Sequence, residues 1–221
     1  MPNILFYHSF RSFITMEVLP IEKTSKSKNK TALVIIDMIN AMDFEDADQL
    51  YEHALPCAKQ IADLKRRTKD AGIPTIYVND NYGRWQSDFK EIVGFIIDED
   101  KKGRPITELL KPADEDYFVL KPKFSGFFAT PLHLLLEHLM VETVILTGVA
   151  GNMCVHFTAN DAYMRDYKIY VPEDCTASNT TSANEEAMHL IRDVLKSSIT
   201  PSSRLTFKGN TTDDIVEEDE S

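Results

Sequence analysis

The sequence predicts a single doubly wound α/β domain, in which helices cover both faces of a mainly parallel sheet. Between residues 31 and 207, short apolar runs of strand length alternate with longer segments of helical periodicity. A parallel sheet with crossover helices requires this alternation. The chain has 221 residues, enough for one sizeable core and too few for two. We therefore expect one three-layer α/β/α domain over residues 31–207, between an N-terminal extension (1–30) and a C-terminal tail (208–221).

The elements of this domain follow from their local patterns. The run 31–37 is apolar and β-branched, which is typical of a buried strand. A long helix follows and ends near Asp70, with Cys57, Ile61 and Leu64 spaced along one apolar face. The later elements are predicted as strand Pro74–Asp80, helix Ser87–Ile97, strand Asp116–Lys121, helix Pro131–Met140, strand Val144–Thr147, helix Asn152–Arg165, strand Lys168–Val171 and helix Ala183–Lys196.

Three reactive side chains stand at the ends of predicted strands. Asp37 ends the first strand, Lys121 ends a later one, and Cys154 follows the Val144–Thr147 strand in the first turn of a helix. Alone, Cys154 would indicate a small buried thiol. In an open parallel sheet, however, the carboxyl ends of the strands border the ligand crevice. A base, a cation and a thiol brought together there form an activated nucleophile, and the helix N-terminus and the cation are both expected to lower the pKa of the thiol.

These segments resemble the isochorismatase-like cysteine hydrolases, the superfamily of nicotinamidases and N-carbamoylsarcosine amidases. The resemblance covers roughly residues 31–200 and rests on VIIDMINAM, LKPKFSGFFATPL and TGVAGNMCVHFTANDAYMRDYKIYVPEDCTAS. It implies a triad of Asp37, Lys121 and Cys154 that cleaves a C–N bond of a small molecule through a thioester. It also implies a cis peptide bond between Val149 and Ala150, an oxyanion hole of the Ala150 and Cys154 N–H groups, and a homo-oligomer.

The segment after the second predicted strand is expected to form the wall and entrance of the substrate pocket. Tyr82 and Trp85 offer apolar surface suited to a small planar ligand, although packing beneath the loop is an equal alternative. Asp80, Asn40 and Phe127 are the other residues assigned to the pocket. Nicotinamidases carry an Asp with several histidines here as a metal site, but Asp80 has no histidine neighbour in sequence. We therefore predict no metal and no cofactor.

The other cysteines and histidines do not favour a different nucleophile or base. Cys57 belongs to the buried face of the first helix, and the acidic neighbours of Cys175 would raise the pKa of its thiol. A pairing of Cys175 with oxidised Cys154 is conceivable. His156 lies two residues after Cys154, so on a helix it points away from the thiol. His133, His138 and His189 fall on predicted helices, and this distribution excludes a papain-like Cys–His pair.

Two other functions are compatible with this family resemblance. One is hydrolysis of a vinyl ether such as isochorismate, but members with that chemistry tend to lack the nucleophilic cysteine. The other is a non-catalytic domain that binds a partner through its tails. A scaffold has no use for three reactive groups in one crevice, so the intact triad counts against this alternative.

Composition limits the partners and the location of the protein. A formal net charge of −11 argues against binding to nucleic acid or to an anionic membrane. Three cysteines without a CxxC motif fit a reducing compartment, so we expect a cytoplasmic protein. The first 30 residues read as a flexible extension in which Met16 is an alternative start, and the acidic run 213–221 predicts a disordered tail.

Overall fold

The computed structural model describes residues 29–81, 89–208 and 215–218. Within these residues five parallel strands form the central sheet in the order β3-β2-β1-β4-β5, and a short β6 extends it beside the end of β4. The strands are β1 Thr31–Ile36, β2 Thr75–Asp80, β3 Tyr117–Lys121, β4 Thr143–Val149, β5 Lys168–Tyr170 and β6 Thr176–Ala177. The helices are α1 Ala47–Asp70, α2 Phe89–Asp98, α3 Arg104–Leu109, α4 Leu132–His138, α5 His156–Tyr163 and α6 Thr181–Asp193.

The sheet is buried on both faces, as the continuous apolar run of β1 predicts. Leu33 and Ile35 pack into a cluster with residues of α1, α2 and α3. The alternate residues of the same strand, Val34 and Ile36, pack into a second cluster with residues of α4, α5 and α6. Successive side chains of a strand point to opposite faces, so one strand contributes to both clusters. The predicted three-layer α/β/α architecture is confirmed.

The chain around Cys154 departs from the predicted helix in its first turn. Residues Gly151–Val155 form a π-helical turn that continues directly into α5. The backbone N–H groups of Met153 and Val155 both donate to the carbonyl oxygen of Ala150, at 3.0 and 3.2 Å. A Cβ atom at Gly151 would lie 2.1 Å from Oδ1 of Asn184, so only glycine fits where this turn meets α6.

Part of the C-terminal tail is ordered, which corrects the prediction that the whole tail is disordered. Ile215–Glu217 forms β8, which pairs antiparallel with β7 (Leu205–Phe207), and Ile215 is buried in the same cluster as α1. The acidic composition of this segment conceals one apolar residue, Ile215, that packs on the core. Residues 209–214 and 219–221 lie outside the described residues.

The N-terminal extension is described only at its last two residues, and both contact the domain. The Asn29 side chain donates to the carbonyl oxygen of Ala71 at 2.5 Å, and Lys30 forms an ion pair with Glu142 at 2.7 Å. Residues 1–28 lie outside the described part of the chain, as does the choice between Met1 and Met16. In the part that is described, no helix is both long and apolar enough to cross a membrane.

Candidate active site

The register of the sheet brings the predicted strand ends together. Ile36 of β1 is level with Val78 of β2 and with Gly148 of β4. On the next strand pair, Asp80 is level with Lys121. Asp37, Lys121 and the turn that carries Cys154 therefore leave the same edge of the sheet, where a parallel sheet binds its ligands.

Lys121 contacts both of the other two reactive side chains. Its Nζ atom lies 2.8 Å from Oδ2 of Asp37 and 3.4 Å from Sγ of Cys154. The thiol and the Asp37 carboxylate are also close enough for each to influence the pKa of the other. The Lys121 side chain is fully buried, that of Asp37 is 9% exposed, and Cys154 is half-buried. A substrate can thus reach the sulfur from solvent while the ion pair behind it stays dry.

The backbone fixes the Asp37 carboxylate in place. Asp37 has a φ of 52°, a left-handed conformation that Asp and Asn tolerate better than most other residues. The N–H of Asp80 donates to its Oδ1 at 2.6 Å, which leaves Oδ2 for Lys121. The side chain of Asp80 lies 3.8 Å from Lys121 Nζ, so Asp80 adjoins the triad as predicted for a pocket residue.

The turn before Cys154 presents backbone N–H groups at the site. The peptide bond between Val149 and Ala150 is cis. The N–H of Asn152 donates to Oγ of Ser178 at 3.1 Å, and the next N–H, of Met153, donates to the Ala150 carbonyl oxygen. Cys154 precedes the first i→i−5 bond of the π-helical turn, which is donated by Val155. In this position a backbone N–H has no carbonyl oxygen one helical turn earlier to donate to, so it can donate a hydrogen bond to an oxygen of a ligand.

Burial sets the protonation of the triad. Burial raises the pKa of Asp37, and the ammonium of Lys121 offsets this only in part. Burial also disfavours the charged form of Lys121, but the negative charges around it, above all Asp37, outweigh this and raise its pKa. Burial, followed by the charge of Asp37, raises the pKa of Cys154 to about 12.

Lys121 lowers the thiol pKa, as expected from the sequence, but burial and the charge of Asp37 outweigh it, so the pKa of the thiol is raised overall. The sequence indicated both charged neighbours but not how deeply the site is buried. At neutral pH the sulfur carries its proton and Lys121 its charge. An Asp37 with a raised pKa is a stronger base than an ordinary carboxylate, so it is better matched to a thiol.

The residues assigned to the pocket occupy different environments in the structure. Phe127 is buried in the second cluster, where its ring stacks on Tyr167 at 6.0 Å and lies under the guanidinium of Arg165. Its ring packs against residues that follow α5, which does not support its assignment to the pocket. Asn40 is buried and its Oδ1 accepts the N–H of Met42 at 2.8 Å, which shapes the turn after β1. Tyr82 and Trp85 lie outside the described residues.

Two aromatic residues near the site were missed by the sequence analysis. Phe124 and Phe157 are about half exposed, and their rings contact each other with centroids 5.4 Å apart. Each follows a triad residue by three positions, Lys121 and Cys154 respectively. That shared spacing was visible in the sequence, but their exposure was not.

The residues around Asp80 do not fit a metal ion. In residues 29–81, 89–208 and 215–218, no cluster of three or more His, Cys, Asp or Glu side chains could hold one. Asp80 faces the Lys121 ammonium, which repels a second cation. The loop 82–88, outside the described residues, contains no histidine. Metal independence of the reaction stays a prediction.

The remaining cysteines are buried, as predicted for Cys57. Cys57 and Cys175 both lie in the cluster beneath α1, and burial raises the pKa of each thiol far above its ordinary value. His156 contacts the ring of Phe157 edge-on at 6.2 Å, and burial lowers its pKa. Of the three cysteines, Cys154 is the one that is only half-buried, and it adjoins both a base and a cation.

Comparison with known proteins identifies the family of the chain. The family model for the isochorismatase domain matches residues 31–200. The chain is 43% identical over 182 residues to the uncharacterized isochorismatase family protein YaaI of Bacillus subtilis, covering 82% of this chain and 99% of that protein. It is 24% identical over 193 residues to the ureidoacrylate amidohydrolase RutB of Cronobacter sakazakii, covering 74% of this chain and 81% of that one.

A solved structure shares the fold. The N-carbamoylsarcosine amidase of Thermoplasma acidophilum aligns with a TM-score of 0.61 at 24% identity, covering 79% of this chain and 97% of that one. Together with the match of the family model to most of the domain, this confirms the resemblance stated from the sequence. The chain belongs to the isochorismatase family and is a hydrolase of that family.

Proposed function

We propose that this hydrolase cleaves a C–N bond, in an amide or a carbamoyl group of a small molecule, through a thioester on Cys154. The observation that carries the proposal is the position of Lys121 Nζ, 2.8 Å from Asp37 and 3.4 Å from Cys154 Sγ. A base, a cation and a thiol at these distances form an activated nucleophile rather than a structural cluster.

The first half of the reaction moves one proton and forms one bond. Asp37 accepts the thiol proton while Sγ of Cys154 bonds to the carbonyl carbon of the substrate. Lys121 stabilises the negative charge that develops on sulfur, which matters because burial raises the pKa of the thiol to about 12. Proton transfer therefore accompanies attack, and no free thiolate accumulates.

The carbonyl oxygen becomes an oxyanion in this step. We assign the N–H groups of Ala150 and Cys154 as its donors, as the resemblance to the family implies. The N–H groups of Asn152, Met153 and Val155 have partners within the protein. Backbone donors fixed before the substrate arrives stabilise developing charge without reorganisation. When the oxyanion collapses, the C–N bond breaks and Asp37 returns the proton to the departing nitrogen.

The second half regenerates the thiol. Asp37 now accepts a proton from water, which attacks the thioester carbon through a second oxyanion. The C–S bond breaks, the sulfur recovers the proton from Asp37, and the acid product leaves. The names of two similar proteins support a C–N substrate, since one is a ureidoacrylate amidohydrolase and the other an N-carbamoylsarcosine amidase.

The test is a panel of small amides, ureido acids and N-carbamoyl amino acids, scored by ammonia release. Cys154→Ala is the matched inactive control, and mass spectrometry of acid-quenched wild-type protein should show the acyl adduct on Cys154. Hydrolysis by Cys154→Ala at the wild-type rate would exclude the thioester route. Turnover of a vinyl ether, with no amide turned over, would replace the C–N assignment by the alternative chemistry.

A further inference from the structure

The distance between the thiol and the ammonium depends on two chain segments that are far apart in sequence. Lys121 ends β3 and leads into the loop 122–131, whereas Cys154 lies in the π-helical turn before α5. The sheet alone does not fix how this loop lies against α5. A contact that joins them next to the triad would hold the two reactive atoms at 3.4 Å.

Thr158 makes such a contact with a single hydroxyl group. Its Oγ1 donates to the carbonyl oxygen of Cys154 at 2.6 Å and accepts the N–H of Gly126 at 3.0 Å. Thr158 is fully buried on the inner face of α5, and Gly126 is buried as well. The Thr158 hydroxyl therefore uses its proton in one segment and its oxygen in the other. Both hydrogen bonds are buried away from water.

The loop is pressed closely enough against α5 for this bond to be specific. A Cβ atom at Gly126 would lie 2.9 Å from the side chain of Val78 in β2 and 3.5 Å from that of Thr158 in α5, so a larger residue here would have to displace its neighbours. The neighbouring Ser125 donates to Asp161 of α5 at 2.5 Å. Ser125 thus joins the same two segments, but of the two hydroxyls only that of Thr158 bonds to Cys154 itself among the contacts described.

We propose that Thr158 is a positioning residue, whose hydroxyl sets Cys154 against Lys121 by joining the Cys154 carbonyl to the Gly126 amide. The proposal rests on the nucleophilic role of Cys154 in the proposed function. In this role a hydroxyl group is needed at position 158, since valine has the same shape but neither donates nor accepts a hydrogen bond. Serine keeps the hydroxyl and loses only a methyl group.

The test compares Thr158→Val with Thr158→Ser. Reaction of Cys154 with iodoacetamide, followed by mass spectrometry, reads the state of the thiol without any substrate. We expect alkylation to slow several-fold in Thr158→Val and to recover in Thr158→Ser. With a substrate in hand, kcat of the valine variant should fall by about 10²-fold with KM nearly unchanged, the loss that about an ångström of misplacement causes.

Thr107→Val is the matched control. Thr107 is also fully buried in a helix, but in the described part of the chain its hydroxyl has no hydrogen-bond partner. The same substitution there should leave alkylation and kcat at the wild-type level. Equal alkylation rates for a folded Thr158→Val and the wild type would overturn the proposal, as would a serine variant as slow as the valine one.

A measurement on the unaltered protein covers the case in which Thr158→Val does not fold. The hydrogen bond to Thr158 predicts slow hydrogen exchange at the Gly126 amide, and rapid exchange in the folded wild type would refute the contact. A substrate panel that yields no amide hydrolysis would count against the proposed function. The alkylation and exchange results would still decide the role of Thr158.

Discussion

The buried ion pair between Asp37 and Lys121 can be tested by removing its cation. Lys121→Met keeps the length of the side chain and deletes the charge. At 2.8 Å and an effective dielectric constant of about 20, the lost attraction is ~6 kcal/mol before any desolvation is recovered. Breaking one side of a buried pair typically costs about 3–5 kcal/mol, because the other charge is left unpaired. Both side chains are almost fully buried, so solvent screening does not reduce this figure much.

We therefore expect Lys121→Met to lower the melting temperature by roughly 6–20 °C, at about 2–4 °C per kcal/mol for a chain of this size. The rate should also fall by about 10³-fold or more, because the unpaired Asp37 then holds its proton and no longer serves as a base. Thermal denaturation followed by circular dichroism and ammonia release measure the two effects.

The double variant separates a shared site from two independent residues. Asn at position 37 tolerates the left-handed backbone and still accepts the Asp80 N–H, so Asp37→Asn removes only the charge. In Asp37→Asn/Lys121→Met no charge is left unpaired, so the protein should be more stable than Lys121→Met and no less active than either single variant. Losses that multiply in the double variant would refute a common proton-transfer unit.

The matched control is a second, nearly buried lysine that lies outside the site. Lys65 pairs with Asp116 at 2.6 Å, with side chains 14% and 6% exposed. Lys65→Met should also destabilise the fold but leave the rate per folded molecule intact. If it abolished activity while the protein remained folded, loss of activity in Lys121→Met would carry no information about the triad.

The other predictions concern the nucleophile, the base, the metal and the tail. Cys154→Ala should lose about 10³-fold or more in activity and Cys57→Ala little, with a comparable loss in a folded Cys57→Ala counting against the assignment. The kcat/KM profile should rise with pH through the pKa of Asp37, which burial places above the ordinary range, and this limb should vanish in Asp37→Asn. Dialysis against a chelator should leave activity unchanged, and ammonia release that is lost on chelation and restored by zinc would overturn this. Deleting residues 209–221 should lower the melting temperature by about 3–12 °C without loss of activity, since it removes the buried Ile215 side chain and exposes the residues that it covers. Deleting 219–221 alone is the control, and an unchanged melting temperature in the longer deletion would contradict the docking of β8.

The fold and the proximity of Asp37, Lys121 and Cys154 could be predicted because both depend on patterns that are local in sequence. Each strand that carries a reactive residue is an apolar run, and polar residues at the ends of parallel strands gather at one edge without any knowledge of side-chain packing. The environment of the triad was not predictable in this way. The thiol pKa depends on how deeply Asp37 and Cys154 are buried together, a property of the packed protein rather than of any segment.

The same distinction explains what the structure shows at Phe127 and in the C-terminal tail. Phe127, in the segment FSGFF, cannot be assigned to crevice or core from its residue type, and only the position of Tyr167 decides that it packs inward. In the tail, acidic residues dominate the composition, yet the burial of Ile215 against the α1 layer and the pairing of β8 with β7 are enough to order it. Average composition predicts disorder only when no apolar residue has a partner surface, and the sequence does not reveal partner surfaces.

The raised thiol pKa has a consequence for how the enzyme avoids damage. A free thiolate at a solvent-accessible site is the form that oxidants attack, whereas a protonated thiol is much less reactive. Burial and the charge of Asp37 raise the pKa of Cys154, and in the proposed mechanism Lys121 stabilises the sulfur anion only as the bond to carbon forms. A site that activates its nucleophile during attack, rather than before it, requires the base, cation and thiol to be held at fixed distances. That requirement is why the contacts around Cys154, from the Asp80 N–H on Asp37 to the hydroxyl of Thr158, matter as much for the chemistry as the triad itself.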